Sequence, residues 1–189
     1  AREVAKLDFD IHASGSPTQI METYRFDRLV DLIVTAKVNL PIERPTHLFG
    51  AGHPSMFSLA VALGCDMFDS ASYILFAKDD RYMTSLGTRK LYELKEKVCT
   101  CPACDEFTLN EMIDLPDQER FNVVARHNLH VCLNEIQVIK QAIYEGRLWE
   151  LVEVRARTHP QLLEGLKRLR RYRGYLEKLG PAVKPQDRK

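Results

Sequence analysis

Cys99, Cys101 and Cys104 lie in the stretch "CTCPAC", which holds three of the five cysteines in the chain. Three chemistries use such a cluster: a redox switch, a disulfide knot or a metal site. A redox role needs an exposed thiolate of low pKa beside a resolving partner, and nothing in the flanking residues selects it. Thiolates suit Zn²⁺, a borderline-soft ion that accepts tetrahedral sulfur and nitrogen ligation. The spacing C-x-C-x-x-C lets three sulfurs converge, and Pro102 stiffens the loop. One tetrahedral position then stays open. His127 and His130, on a helix predicted from Asn122 onward, can fill it, and His159, beside a proline, is the weaker candidate. Four protein ligands would make the site closed and structural. Cys65 and Cys132 sit among apolar neighbours and read as buried thiols.

A second chemistry resides in "CDMFDSAS", which holds Asp66 and Asp69. Aspartates in loops most often cap turns. Asp69 follows the apolar Met67 and Phe68, however, so it falls at the end of a predicted strand. Parallel-sheet enzymes keep their reacting groups at such strand ends. A carboxylate there can act as base, metal ligand or nucleophile.

The elements that must position these groups divide the chain in two. "LDFDIHA" reads as a strand entering the tight loop at Ser14 and Gly15. Phe26, Leu29, Val30, Ile33, Val34 and Val38 mark one helical face. "THLFGAG" reads as a second strand ending in glycines. "HPSMFSLAVALG" reads as a helix with Pro54 in its first turn, and "CDMFDSASYILFA" as a third strand and its exit. This strand–helix alternation implies parallel strands. Ser14, Gly15, Gly50, Gly52, His53, Asp69 and Ser70 then gather at one sheet edge. Three strands leave a sheet with exposed edges, so the sheet is either covered or part of something larger. Further on come a turn at 85–87 with a short helix after it, a helical run broken near Pro116 and ended by Gly146, and helices in "LWELVEVRART" and "PQLLEGLKRLRRYRGYLEKLG". Pro181, Pro185 and "QDRK" read as a frayed tail.

The formal net charge is +1 over 189 residues, which excludes a global basic field. Basic residues cluster in "KRLRRYRGYLEK" (167–178), with Tyr172 and Tyr175 between them, and Arg155 and Arg157 add to them. This is either a solvated helix face or a surface for RNA phosphates. No apolar run reaches the roughly 20 residues that span a bilayer, and "AREVAKLDFD" has no apolar core of a leader. A cytoplasmic protein is expected, where structural disulfides are uncommon.

"HLFGAGHPSMFSLAVALGCDMFDSASY" (47–73), followed by "CTCPAC" and "RHNLHVCLNEI", resembles the tRNA-guanine transglycosylase family, in particular its archaeal, archaeosine-forming type. The resemblance runs from Arg2 to about Gly146. It implies the C-terminal part of a (β/α)8 TIM barrel (1–78), a helical zinc-binding subdomain (79–146), and closing helices with a basic tail (147–189). It implies exchange of a D-loop guanine in tRNA for a 7-deazaguanine, 7-cyano-7-deazaguanine in archaea, through a covalent aspartate–ribose intermediate. It places the nucleophile on Asp69, one structural Zn²⁺ on Cys99, Cys101, Cys104 and His127, and the base beside Gly15 and Ser16. Members of the family carry "AVGAVVP" where this chain has "ASGSPTQ", so Ser16 and Thr18 replace small or apolar residues. Members also carry an N-terminal half-barrel with a second essential aspartate. The expected partners are therefore tRNA, the incoming base, and an N-terminal half of the catalytic domain or a second subunit in a dimer. The alternatives are a non-catalytic zinc-containing partner subunit and a zinc-stapled tRNA-binding module.

Overall fold

In the computed structural model, which describes residues 1–15 and 17–179, the first half alternates strand and helix. Strand β1 (His12–Ser14) is followed by helices α1 (Pro17–Glu22) and α2 (Phe26–Lys37), strand β2 (Thr46–Leu48), helix α3 (Pro54–Ala62) and strand β3 (Met67–Phe68). Both pairings are parallel, with His12 opposite Thr46 and Leu48 opposite Phe68. The sheet order is β1-β2-β3, so the outer strands keep open edges among the described residues. Helix α2 buries Phe26, Leu29, Val30, Ile33 and Val34 of the expected face. Burying each such side chain contributes about 1.5–3 kcal/mol. Val38, of the same face, lies just past the last turn and is exposed.

Three expectations change. The strand before Ser14 is three residues long, and Leu7, Phe9 and Ile11 are exposed. Its partner β2 begins only at Thr46, just after Pro45, whose carbonyl accepts the His12 N–H. Residues before His12 therefore have no ladder to join. The apolar run after Asp69 is not a strand exit but helix α4 (Ser72–Ala77), preceded by a turn in which the Ser70 hydroxyl accepts the Ser72 N–H at 3.0 Å. The turn at 85–87 closes an antiparallel hairpin, β4 (Arg81–Thr84) with β5 (Gly87–Lys90), and only a single 3-10 turn follows it.

The second half is helical: α5 (Pro102–Asp105), α6 (Leu109–Asp114), α7 (Asp117–Tyr144), α8 (Leu148–Ala156), α9 (Pro160–Arg168) and α10 (Arg173–Leu179). The last basic run is not one helix, because a 3-10 turn at Leu169–Tyr172 separates α9 from α10. The expected tail at Pro181, Pro185 and "QDRK" lies outside the described residues, as does Ser16. Two apolar cores form. One gathers α2, α3, α8 and α9 around the sheet. The other gathers Ala77, Tyr82, Leu91, Cys104, Met112 and Val124 around the hairpin and the cysteine loop. Helix α7 serves both, with Val123 and Val124 in the second core and Ile139 in the first. Among the described residues no helix is long and apolar enough to cross a membrane.

Candidate functional site

The cysteine loop folds onto α7. Cys101 caps α5, Pro102 starts it and Cys104 lies within it, so one short turn turns two sulfurs the same way. The Cys99 sulfur accepts the Cys101 N–H at 3.4 Å, and Lys97 Nζ donates to the Cys104 carbonyl, which tightens the loop. The donor atoms of Cys99, Cys101, Cys104 and His127 all lie within 4.8 Å of one another, an arrangement able to hold a metal ion. His130 is exposed and outside this group. His127 Nδ1 is 3.6 Å from the Cys101 sulfur and 3.3 Å from the Cys104 sulfur. In a tetrahedral centre with metal–sulfur and metal–nitrogen bonds of about 2.3 and 2.0 Å, such edges measure about 3.5 Å. The donor set therefore fits one ion.

The elements around the cluster preset its chemistry. His127 Nε2 lies 2.8 Å from the Met83 carbonyl and donates to it, which leaves Nδ1 as the lone-pair donor facing the sulfurs. Burial pushes the imidazole down to about 4, so it stays neutral. The Tyr82 ring stacks on it at 3.6 Å, and the Tyr82 hydroxyl reaches the Cys104 sulfur at 3.2 Å. Burial pushes the Cys104 thiol up to about 12 and raises Cys99 as well. Without a cation these sulfurs hold their protons; a bound dication reverses that preference. Asn128, absent from the sequence reading, completes the seat. Its side chain accepts the Met83 N–H and donates to the carbonyls of Tyr73 and Arg81, all within 3.0 Å. It is fully buried with every polar group partnered. No periodicity signals such a residue, because its role is to satisfy strand β4 across 45 residues of chain.

The two aspartates of "CDMFDSAS" separate in role. Asp66 precedes β3, and its carboxylate accepts the Thr46 N–H at 2.8 Å, which closes the sheet locally. Asp69 follows β3 at the opposite edge, where the loops after all three strands meet. Its Oδ1 accepts the Gly50 N–H at 2.7 Å and lies 2.8 Å from His47 Nε2. Its Oδ2 makes no hydrogen bond among the described residues, and the side chain is 49% exposed. Among the described residues one oxygen is thus anchored and the other is not. The loop beneath is held by Ser70 and Ser72, whose hydroxyls donate to the Gly52 carbonyl at 3.2 and 2.6 Å. His53 caps α3 by accepting the Ser55 N–H, and burial pushes it down to about 4.

Gly15 follows β1 at this same edge, and a Cβ there would meet nothing within 4 Å. At this edge the glycine with a conformational reason is Gly50, at φ +73°, where a Cβ would sit 2.8 Å from Thr18 Oγ1. Its amide is also the one that fixes Asp69. We expect Gly50→Ala to cost about 1–2 kcal/mol of stability, the scale of a left-handed non-glycine residue. A thermal melt reads this directly. Any reaction at Asp69 should fall further than this loss explains, because the anchoring N–H moves.

The basic surface is partly consumed by the fold. Arg168 donates twice to Asp31 of α2, at 2.8 and 2.6 Å, and the Tyr172 hydroxyl joins them at 2.6 Å. These donors hold the Asp31 carboxyl below the usual carboxylate range. Arg155 makes a two-pronged pair with Glu135 at 2.8 and 2.9 Å, and Glu135 is completely buried. Arg155→Ala strands that carboxylate, and the expected loss is about 3–5 kcal/mol. Arg157, exposed and without an ion pair among the described residues, should lose less than about 0.5 kcal/mol on the same change. Urea unfolding of the two variants checks the contrast.

A family model described as queuine tRNA-ribosyltransferase matches residues 1–161. A tRNA-guanine(15) transglycosylase from Thermococcus kodakarensis is 52% identical over 184 residues, covering 97% of this chain and 32% of that protein. Its namesake from Methanocaldococcus jannaschii is 50% identical over 187 residues, covering 97% and 28%. Another from Pyrococcus furiosus is 50% identical over 184 residues, covering 97% and 32%. The chain therefore spans about a third of the length of these curated relatives.

Proposed function

Because the chain belongs to the queuine tRNA-ribosyltransferase family, we propose that it forms the C-terminal part of the catalytic domain of a tRNA-guanine transglycosylase. The observation that carries this reading is Asp69, at a parallel strand end with Oδ1 held by Gly50 and His47 and Oδ2 free. Oδ2 attacks C1′ of a guanosine in tRNA. The C1′–N9 bond breaks, its electron pair leaves with guanine, and a proton is delivered to the departing base. The Asp69–ribose ester that results is opened by N9 of a 7-deazaguanine, 7-cyano-7-deazaguanine in the archaeal type. That nitrogen loses its proton and the carboxylate is restored. The transition states have oxocarbenium character, as in retaining glycosidases. Gly15, just past the end of β1, borders the base. A non-catalytic partner subunit has less reason to keep such a carboxylate, which favours the catalytic reading.

The remaining parts follow from the same reading. The acid that protonates guanine, and the strands that complete a (β/α)8 barrel, belong to the two thirds of the relatives' length that this chain does not span. The open edges of β1 and β3 and the exposed Leu7, Phe9 and Ile11 are where such strands would add. The metal is Zn²⁺, chosen by three thiolates and an imidazole, and its four protein ligands leave it no open position for chemistry. The working form is a cytoplasmic dimer. Exchange of labelled guanine into tRNA, with the N-terminal half of the catalytic domain supplied, tests the proposal. Exchange should require both parts, and its absence in a correctly assembled pair would overturn the reading.

A further inference from the structure

Helix α1 ends in a hydrogen-bond pattern that normally calls for glycine. Arg25 N–H donates to the Ile20 carbonyl and Tyr24 N–H to the Met21 carbonyl, both at 2.9 Å. This double closure places Tyr24 in the left-handed position that glycine usually takes, and its φ is +54°. A bulky aromatic there is a backbone outlier held at a conformational cost. The fold draws little packing from it in return. The ring is 45% exposed. His159 stacks on it at 5.1 Å and 14°, and Phe26 meets it only edge-on at 6.3 Å. The Tyr24 hydroxyl has no hydrogen bond among the described residues. His159 is itself fixed, because its Nδ1 caps α9 by accepting the Gln161 N–H. The pair is a braced aromatic platform open to solvent.

Charge surrounds it. Arg25, Lys167, Arg168 and Arg171 line one groove beside the platform, together with Asp27 and Glu164. Ion pairs occupy Arg25 with Asp27, Lys167 with Glu164 and Arg168 with Asp31. Arg171, and Arg28 one turn along α2, have no ion pair among the described residues. Helix α1, which Tyr24 follows, borders the loop that holds Asp69. Thr18 and Met21 of α1 lie against Gly50 and Gly52, in the loop that anchors Asp69, and Tyr24 follows Met21 by less than one helical turn.

We propose that the Tyr24–His159 stack seats an unstacked base of a single-stranded RNA segment, with Arg171 and Arg28 on the neighbouring phosphates. This rests on the reading that the protein works on tRNA and adds where the strand is gripped beside the reacting nucleotide. Aromatic faces hold bases in this way without sequence preference, and the backbone supplies the charge.

Tyr24→Gly tests it, because glycine suits the backbone while removing the ring. In the protein assembled with its N-terminal half, the variant should melt at or above the parent temperature. It should bind a tRNA transcript on the order of tenfold more weakly, the lower-middle of the range for losing one stacked base. Tyr24→Phe should stay within about twofold. Arg171→Ala should reduce the slope of log K against log salt by about 0.7–0.9. Parent-like binding by Tyr24→Gly would overturn the inference, and so would an equal loss in Tyr24→Phe, which would mean a hydroxyl contact in place of stacking. Either result leaves Asp69-dependent guanine exchange, and with it the proposed function, standing. Failure of the assembled parent protein to bind tRNA would overturn both.

Discussion

Asp69→Asn is expected to abolish guanine exchange, by at least on the order of 10³-fold, the scale on which loss of a covalent nucleophile is felt. The substitution is nearly isosteric. The amide oxygen can keep the Gly50 N–H bond that Oδ1 makes at 2.7 Å, so the fold is spared. What disappears is the negative oxygen that forms the bond to C1′. Two readouts separate chemistry from binding. Labelled-guanine exchange falls, while tRNA affinity stays within a few-fold. A covalent protein–RNA adduct, trapped by denaturation during turnover, forms with the parent chain and not with the variant. Persistence of the adduct in Asp69→Asn would move the nucleophile elsewhere. Asp66→Asn is the internal control, because its carboxylate is spent on the Thr46 N–H.

The second large effect concerns the metal. Each chain should carry one Zn²⁺ by elemental analysis, and Cys104→Ser should lose most of it. The core around the hairpin and the cysteine loop is small, with Tyr82, Leu91, Cys104 and Met112 at its centre. Metal binding in comparable closed sites is worth about 10–16 kcal/mol, against a whole-domain stability of about 5–15 kcal/mol. Chelation or Cys104→Ser should therefore release the hairpin and α5 together. Limited proteolysis should then cut between about 85 and 110, while the sheet core stays protected. Lowering the pH should work in the same direction. The ligands bind deprotonated, so protons compete with the metal as pH falls and affinity declines. A variant free of metal that resists protease at 85–110 would show that the ion does not build this core.

Much of this was readable from residue order. The apolar face of α2, Val38 apart, and Pro54 in the first turn of α3 are as expected. The C-x-C-x-x-C spacing named three of the four donors that converge and left His127 and His130 as candidates for the fourth, which the family resemblance assigned to His127. Local chemistry sufficed for the three sulfurs, because loop stiffness acts over a few residues. Short apolar runs were less legible. "SYILFA" carries no period long enough to tell strand from helix, and only the folded chain shows it as α4, preceded by a turn in which the Ser70 hydroxyl accepts the Ser72 N–H.

Residue types and spacing could thus determine the strand–helix alternation, the three sulfur donors and the strand-end position of Asp69. They could not determine which atoms those groups would face. Anchoring Asp69 through the Gly50 amide needs a contact across 19 residues. Orienting His127 needs Met83, 44 residues away. Whether an arginine meets solvent or a buried carboxylate, as Arg155 meets Glu135, depends on how α8 lies on α7. Tyr24 became a candidate only when its backbone angle and its stack on His159 were seen together. Such hydrogen bonds and ring contacts act over about 3–5 Å in space and have no fixed separation along the chain, so only the packed molecule could settle them.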